Sequence, residues 1–286
     1  MLATVTELLN LLDLTEMGND AFEGSQPDPP NHHIVGGQIA AQALLAASKT
    51  VAGRRPHSLH LYFLRLGDAR YPVHFYVSRL RDGGTFSARR VTAAQGGEVL
   101  MEAIASFTRD VDNVEYQDGM PDAPAPETLV RVEQQLAPYA GEFDGWWVRP
   151  RAFEMRYVEP PPRIALDRTG SPSSVSRIWL RADGVVPDDE VVNSCVLTYL
   201  TALTLLECAM TAMRKAPMGT GVSALLDHAV WFHRRADFSD WLFYDQHSPS
   251  GVGGRALATG TVYNRDGALV CRATQEGYFR KRLSTG

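Results

Sequence analysis

The groups in this sequence that could do chemistry on a small substrate are few and scattered. They are His57, His60, His228 and His233, the adjacent Asp227 and His228, Gln275, Glu207, and two arginine doublets, Arg89-Arg90 and Arg234-Arg235. A shared metal needs its ligands on one face. His57 and His60 are expected on opposite sides of a strand, and His228 and His233 also alternate, so no metal site is expected. Ser223, Asp227 and His228 lie too close in sequence for triad geometry, and no GxSxG nucleophile elbow is present. Gly36-Gly37-Gln38 opens an apolar run, and backbone donors at a helix start can cradle an oxyanion or a phosphate. The stronger reading is that the two glycines let the helix pack closely. Neither GxGxxG nor GxxxxGK[ST] occurs, so no nucleotide fingerprint is present. In each arginine doublet one side chain would face a ligand phosphate and the other solvent, with a simply solvated face as the stronger alternative.

The elements that must position these groups recur. A helix that is apolar nearly all round, Gln38–Lys49, is followed by strand-like segments at Tyr71–Leu80, Ser87–Ala94 and Val99–Thr108. A second such helix, Val196–Met213, is followed by Trp241–Gln246, Ala256–Tyr263 and Leu269–Glu276. Asp82-Gly83, Gly96-Gly97 and Asp266-Gly267 supply hairpin signals. His57 and His228 are 171 positions apart, and Gly97 and Gly267 are 170 apart. A near-constant offset over several elements is the trace of a duplicated domain. Each half therefore predicts an α+β unit, a buried helix with an antiparallel sheet curled round it. Two units are expected to join edge to edge. The predicted division is 1–112 for the first unit, 113–149 for a proline-bearing linker with a short helix over Val130–Leu136, and 150–286 for the second.

Composition narrows the function classes. With 44% hydrophobic and 21% charged residues among 286, the chain can bury a large core. A net charge of -5 argues against broad nucleic-acid binding, and the scarcity of lysine means that any phosphate clamp would use arginine. Cys195, Cys208 and Cys271 are odd in number and lack CxxC spacing, against both a disulfide framework and zinc. The first residues read as an amphipathic helix rather than a signal peptide, and no uninterrupted apolar run is expected to span a bilayer. The cytoplasm is the expected compartment.

Several segments carry a resemblance. GGQIAAQALLAA (36–47), HSLHLYFLRLGD (57–68), RDGGTFSARRV (81–91), DHAVWFHR (227–234) and QEG (275–277) are similar to the acyl-CoA thioesterase II, or TesB-like, family over essentially the whole chain. The resemblance implies a double hotdog fold, hydrolysis of acyl-CoA to free acid and CoA without a cofactor, and assembly into homo-oligomers. It also implies an Asp, a Thr and a Gln that hold and activate the attacking water. The Asp would lie in the segment that here reads Tyr199-Leu200-Thr201-Ala202-Leu203, which puts Ala202 at its position. The Thr would lie two residues before Asp227, where this chain has Leu225. The Gln is retained as Gln275.

This departure has a definite chemical meaning. Water attack on a thioester needs a base for its proton and donors for the oxyanion. Ala202 supplies neither, and a general base is worth about 10²–10⁴-fold in rate. Leu225 removes the hydroxyl that would otherwise lose its Asp partner, a buried loss of about 1–3 kcal/mol. The expectation is a thioesterase-like protein with weak or no hydrolase activity that still binds acyl-CoA or a related thioester. Thr201 or Thr204 is the expected new partner of Gln275, while Gly36, Gly37, Gln38, Arg89 and Arg90 are candidate ligand contacts. Trp146 and Trp147 are expected either to line an acyl tunnel or to anchor the linker. Two alternatives are an active thioesterase with a rearranged site and a non-catalytic structural or partner subunit.

Overall fold

The computed structural model describes residues 2–27, 33–169, 172–218 and 223–279. The chain begins with the amphipathic helix α1 (Val5–Leu11), capped by the Thr4 hydroxyl and burying Val5, Leu8 and Leu11. A short hairpin follows, β1 (Thr15–Gly18) and β2 (Ala21–Gly24). Then come α2 (Gly36–Ser48), β3 (Arg55–Phe63), β4 (Val73–Asp82), β5 (Phe86–Gln95) and β6 (Glu98–Thr108). The second half repeats this order. Strands β7 (Phe153–Tyr157) and β8 (Val175–Ala182) flank the short helix α4 (Pro162–Asp167). They lead to helices α5 (Glu190–Thr204) and α6 (Glu207–Ala212). Strands β9 (Ser223–Leu225), β10 (Asp227–Phe232), β11 (Leu242–Val252), β12 (Arg255–Asn264) and β13 (Leu269–Phe279) complete it.

One antiparallel sheet joins both halves, in the order β1-β2-β4-β5-β6-β3-β10-β13-β12-β11-β8-β7, with β9 added on β13. The junction is β3 on β10, with Leu59 opposite Val230 and Leu61 opposite His228. The sheet order is therefore mirrored about that junction, as two copies of one unit set edge to edge require. This is the double hotdog, an α+β fold with α2 and α5 as the two central helices. Strand alternation gives the sheet its two faces. In β5 the buried Ser87, Arg89, Val91 and Ala93 face the helix, and Phe86 and Arg90 face away. At the β5–β6 turn Gly96 and Gly97 both have positive φ, 59° and 86°, the backbone of a two-residue hairpin turn.

Three expectations need correction. The second apolar helix is not continuous: α5 ends at Thr204 and α6 starts at Glu207. The Tyr244 hydroxyl donates to the Thr201 carbonyl at 3.1 Å, competing for the acceptor that the Leu205 N–H would use. The whole stretch Glu190–Ala212 is, by length and composition alone, apolar enough to cross a bilayer. Most of it is buried in the fold, which is the pattern of a core helix. His57 and His60 do not face opposite sides. A bulge between Pro56 and Ser58 turns the His57 ring onto the outer face, where it meets Ser106 Oγ at 2.8 Å and the edge of Phe86. Finally, Arg89 is not turned toward a ligand, as described below.

Between β6 and β7 the chain carries three 3-10 turns and the short helix α3 (Val132–Gln135). Its first part runs across the outer face of the second unit. Met120, Ala123 and Leu129 cover Trp179, Trp241, Phe243 and Tyr263 there. Trp179 Nε1 donates to the Pro124 carbonyl at 2.9 Å, and Arg234 pairs with Glu115 at 2.7 Å.

Candidate active site

The two units meet where the first turn of α2 crosses the middle of α5. Glycine is required at that crossing. A Cβ on Gly37 would lie 2.9 Å from the Tyr199 carbonyl oxygen and 3.2 Å from Ala202 Cβ, and one on Gly36 would lie 2.4 Å from Leu225 Cδ1. Ala202 and Leu225 are thus each against one of two consecutive glycines, and both remain partly accessible. Gly36 and Gly37 begin α2 with no side-chain cap from Val35. Their amides belong to the turn whose donors have no intrahelical partner. Gln38 is directed elsewhere: its side chain is buried and Nε2 donates to Gln26 Oε1 at 3.0 Å.

Leu225 pairs with Gly277 across β9 and β13, and Gln275 lies two residues from Gly277 on the same helix-facing side of β13. A Cβ on Gly277 would sit 2.5 Å from Leu206 Cδ1, which places this strand face under the junction of α5 and α6. Gln275 is fully buried, and neither its Oε1 nor its Nε2 has a hydrogen-bond partner among the described residues. Leaving such a group unpaired costs about 1–3 kcal/mol, so a buried amide without partners needs an explanation.

Neither threonine expected to satisfy Gln275 does so. Thr201 Oγ1 donates to the Leu197 carbonyl at 2.8 Å and lies 3.2 Å from His228 Nε2. Thr204 Oγ1 accepts from Gln246 Nε2 at 2.7 Å. Because the Thr201 proton is directed to Leu197, its oxygen accepts from His228, and this assigns the imidazole proton to Nε2. His228 Nδ1 is then an acceptor, and it too lacks a partner. Burial pushes the imidazolium down to about 3, so His228 is neutral and a feeble base. Asp227 does not assist it. The two neighbours on β10 point to opposite faces, and Asp227 Oδ1 accepts from the Glu276 amide at 2.9 Å.

Arg89 is a structural residue. It is fully buried and directs all its nitrogens inside the first unit. Nε donates to Thr50 Oγ1 at 2.8 Å, and Nη1 donates to the Arg81 and Ala88 carbonyls at 3.1 and 3.0 Å. Nη2 donates to the Thr50 carbonyl at 3.1 Å and to Asp82 Oδ1 at 2.8 Å. Arg90 faces outward from the sheet, away from the helix crossing. Arg235 pairs with Asp188 and is likewise remote.

A separate carboxyl site was not predicted. Glu207 Oε2 accepts from the Tyr157 hydroxyl at 2.6 Å, beside a cavity of about 30 Å³ lined by Trp146, Trp147, Arg151, Leu203 and Thr204. Burial raises Glu207 to about 7 against the opposing pull of Tyr157 and Arg151. Trp147 anchors the linker as well, donating to Glu142 Oε2 at 2.9 Å. The cue for this site was slight: one glutamate following an apolar helix, with its tyrosine fifty positions earlier.

A mirrored pair of helix-on-sheet units, crossing at a glycine pair, narrows the kinship to double hotdog proteins. Sequence comparison decides which. Residues 149–278 match the family model described as acyl-CoA thioesterase, and residues 26–108 match that described as acyl-CoA thioesterase N-terminal domain. The chain belongs to the acyl-CoA thioesterase family. This thioesterase-family chain is 32% identical to acyl-CoA thioesterase 2 of Haemophilus influenzae, over 96% of its own length and 98% of the relative's. It is 33% identical to acyl-coenzyme A thioesterase 8 of Homo sapiens, over 96% and 88%. Among solved structures it superposes on a tesB protein of Mycobacterium avium subsp. paratuberculosis with TM-score 0.80 and 46% identity, covering 97% of this chain and 100% of the other. The acyl-CoA thioesterase II TesB2 of Mycobacterium marinum gives TM-score 0.79 and 36% identity, covering 98% and 99%.

Proposed function

We propose that this chain binds acyl-CoA thioesters where α2 crosses α5, and that it hydrolyses them to fatty acid and CoA only weakly. The observation that carries the reading is Gln275, a buried amide without a hydrogen-bond partner among the described residues, two positions along β13 from Gly277, the residue paired with Leu225. Its free N–H group suits a thioester oxygen or a water, and the amides of Gly36 and Gly37 are further donors for the same oxygen. What the crossing lacks, among the described residues, is a base. His228, with its proton affinity lowered to about 3, takes a proton from water poorly at neutral pH. Loss of a general base slows such a step by about 10²–10⁴-fold and leaves binding in place.

A second reading is a working thioesterase with a rearranged site, with Gln275 orienting the water. The relatives named above favour it, since they carry thioesterase names at 32–33% identity over nearly the full chain. The proposed division into 1–112, 113–149 and 150–286, a cytoplasmic location and a homo-oligomeric state accompany either reading. Steady-state release of CoA thiol from short, medium and long acyl-CoAs separates the two, assayed beside an active family member. Background turnover together with saturable acyl-CoA binding is the expected result. Turnover comparable to the active member replaces the first reading with the second. Absence of binding overturns both and leaves a structural or partner subunit.

A further inference from the structure

Two cavities lie side by side in the second unit, away from the crossing. The inner one, of about 30 Å³, is the size of one or two water molecules and ends on the Glu207–Tyr157 pair. Thr204 on its wall is two positions after Ala202, about 200° round α5. Tyr157 is on β7, the edge strand, whereas Gly36 lies against Phe63 of β3 at the centre of the sheet. The outer cavity is an open pocket of about 440 Å³ lined by Phe143, Leu166 and Ala216. Trp147 and Arg163 line both, so they form the partition. One carboxylate holds it: Glu142 accepts from Trp147 Nε1 at 2.9 Å and from Arg163 Nε and Nη2 at 2.9 and 2.7 Å. The next three residues all have positive φ, 49° at Phe143, 53° at Asp144 and 75° at Gly145. Two of them are not glycine, so the turn stores strain just before the tryptophans, a property of ligand clamps.

A turn of Trp147 away from Glu142 joins the two into one pocket, larger than the outer 440 Å³ and within the size range of small-molecule sites. Its walls are apolar, from Phe143, Leu166, Trp147 and Leu203, and its closed end is a carboxyl. Burial holds Glu207 near 7, so around neutral pH it accepts a hydrogen bond and, when protonated, donates one. The charged groups beside it are Arg151, which pairs with Glu133 of α3 at 3.1 Å, and Arg163 of α4. A ligand ammonium would be set beside two guanidinium groups, and a ligand carboxylate beside Glu207. A neutral hydroxyl meets neither penalty and can both donate and accept. Arg214 and Lys215 also line the outer pocket, but Arg214 is exposed and Lys215 partly so, and charges in contact with water discriminate weakly.

We propose that this joined pocket is a second ligand site, separate from the crossing, which takes an aliphatic alcohol with its hydroxyl on Glu207 and with Trp147 as the gate. The proposal does not rest on acyl-CoA binding at the crossing. The test is equilibrium dialysis of 1-octanol against the full chain, with octylammonium and octanoate as probes of the same chain and a different head. Saturable binding of octanol is expected, with both charged probes at least about 10-fold weaker. Glu207→Leu is expected to weaken octanol about 10-fold, the worth of one hydrogen bond. Ala216→Trp, which fills the outer pocket away from Glu207, is expected to abolish binding, with circular dichroism confirming the fold of each variant. Gln275→Leu and saturating acyl-CoA are expected to leave octanol binding unchanged. The indole N–H resonance of Trp147, assigned with Trp147→Phe, is expected to shift as octanol binds. No saturable binding, equal binding of the three probes, or binding unchanged in both Glu207→Leu and Ala216→Trp overturns the proposal. Loss of octanol binding in Gln275→Leu, or its displacement by acyl-CoA, puts the alcohol at the crossing and overturns the separate site. An unmoved Trp147 resonance overturns the gate.

Discussion

The two units share a fold, and both hold some buried polar atoms without partners among the described residues, but their two most deeply buried long polar side chains on the sheet, Arg89 and Gln275, are treated in opposite ways. In the first, Arg89 is wholly buried and every nitrogen has an acceptor, tying Thr50 after α2 to the β4–β5 turn at Asp82. In the second, Gln275 is as deeply buried and has no hydrogen-bond partner among the described residues, while His228 and Gln246 each keep one atom without one. A satisfied group fixes a structure. An unsatisfied one costs stability in the free protein, and the cost is recovered when a ligand or water supplies the missing bond. Arg89 thus serves to hold its unit together, and Gln275 carries the mark of a binding site.

That contrast can be broken by experiment. Replacing Arg89 with Met should destabilise the chain by about 3–5 kcal/mol, because the Asp82 carboxylate, Thr50 and two carbonyls lose a shared donor. Urea unfolding measures this, and a loss below about 1 kcal/mol would remove the contrast. The Glu207–Tyr157 pair should show itself in pH dependence. Glu207 is raised in the folded state from an ordinary 4.5 to about 7, so the folded chain holds a proton that the unfolded one releases. Its contribution is complete below about pH 4.5 and lost as pH rises through about 7, a swing of about 3 kcal/mol. Thermal melts from pH 5 to 8 should fall more steeply for wild type than for Glu207→Gln. Parallel slopes would count against a proton held there. The smallest effect should have the opposite sign to the first. Gln275→Leu is expected to stabilise the ligand-free protein by about 1–3 kcal/mol while weakening acyl-CoA binding. A destabilised variant would mean that Gln275 has partners after all.

Much of this was legible in the sequence because it rests on periodicity and order. The apolar all-round helices and the alternating strands of β4–β6 and β11–β13 predicted two units, and the offset from His57 to His228 predicted their duplication. Strands β7 and β8 were missed although FEMRY and VSRIWLRA alternate, because the prolines between them suggested loop. The break at Leu205 was not legible, since it coincides with a hydroxyl arriving from β11. The inward turn of Arg89 depends on which strand parity faces the helix, and a residue pair alone does not reveal it. At the site, the residues opening the first apolar helix pointed to Gly36 and Gly37, and the family resemblance pointed to Ala202 and Leu225; the fold brings the four to one crossing. Thr201 and Thr204 went elsewhere because His228 and Gln246 approach them from the sheet, a tertiary fact with no sequence cue.

The central claim is that the second unit keeps its site and lacks only the groups that activate water. Its most direct test is CoA-thiol release by the double variant Ala202→Asp with Leu225→Thr, compared with wild type on the same acyl-CoA. A gain of about 10²-fold or more in kcat is expected, the rate that a recovered general base supplies. No gain in a folded variant that still binds acyl-CoA, or a wild type already as fast, would contradict the claim.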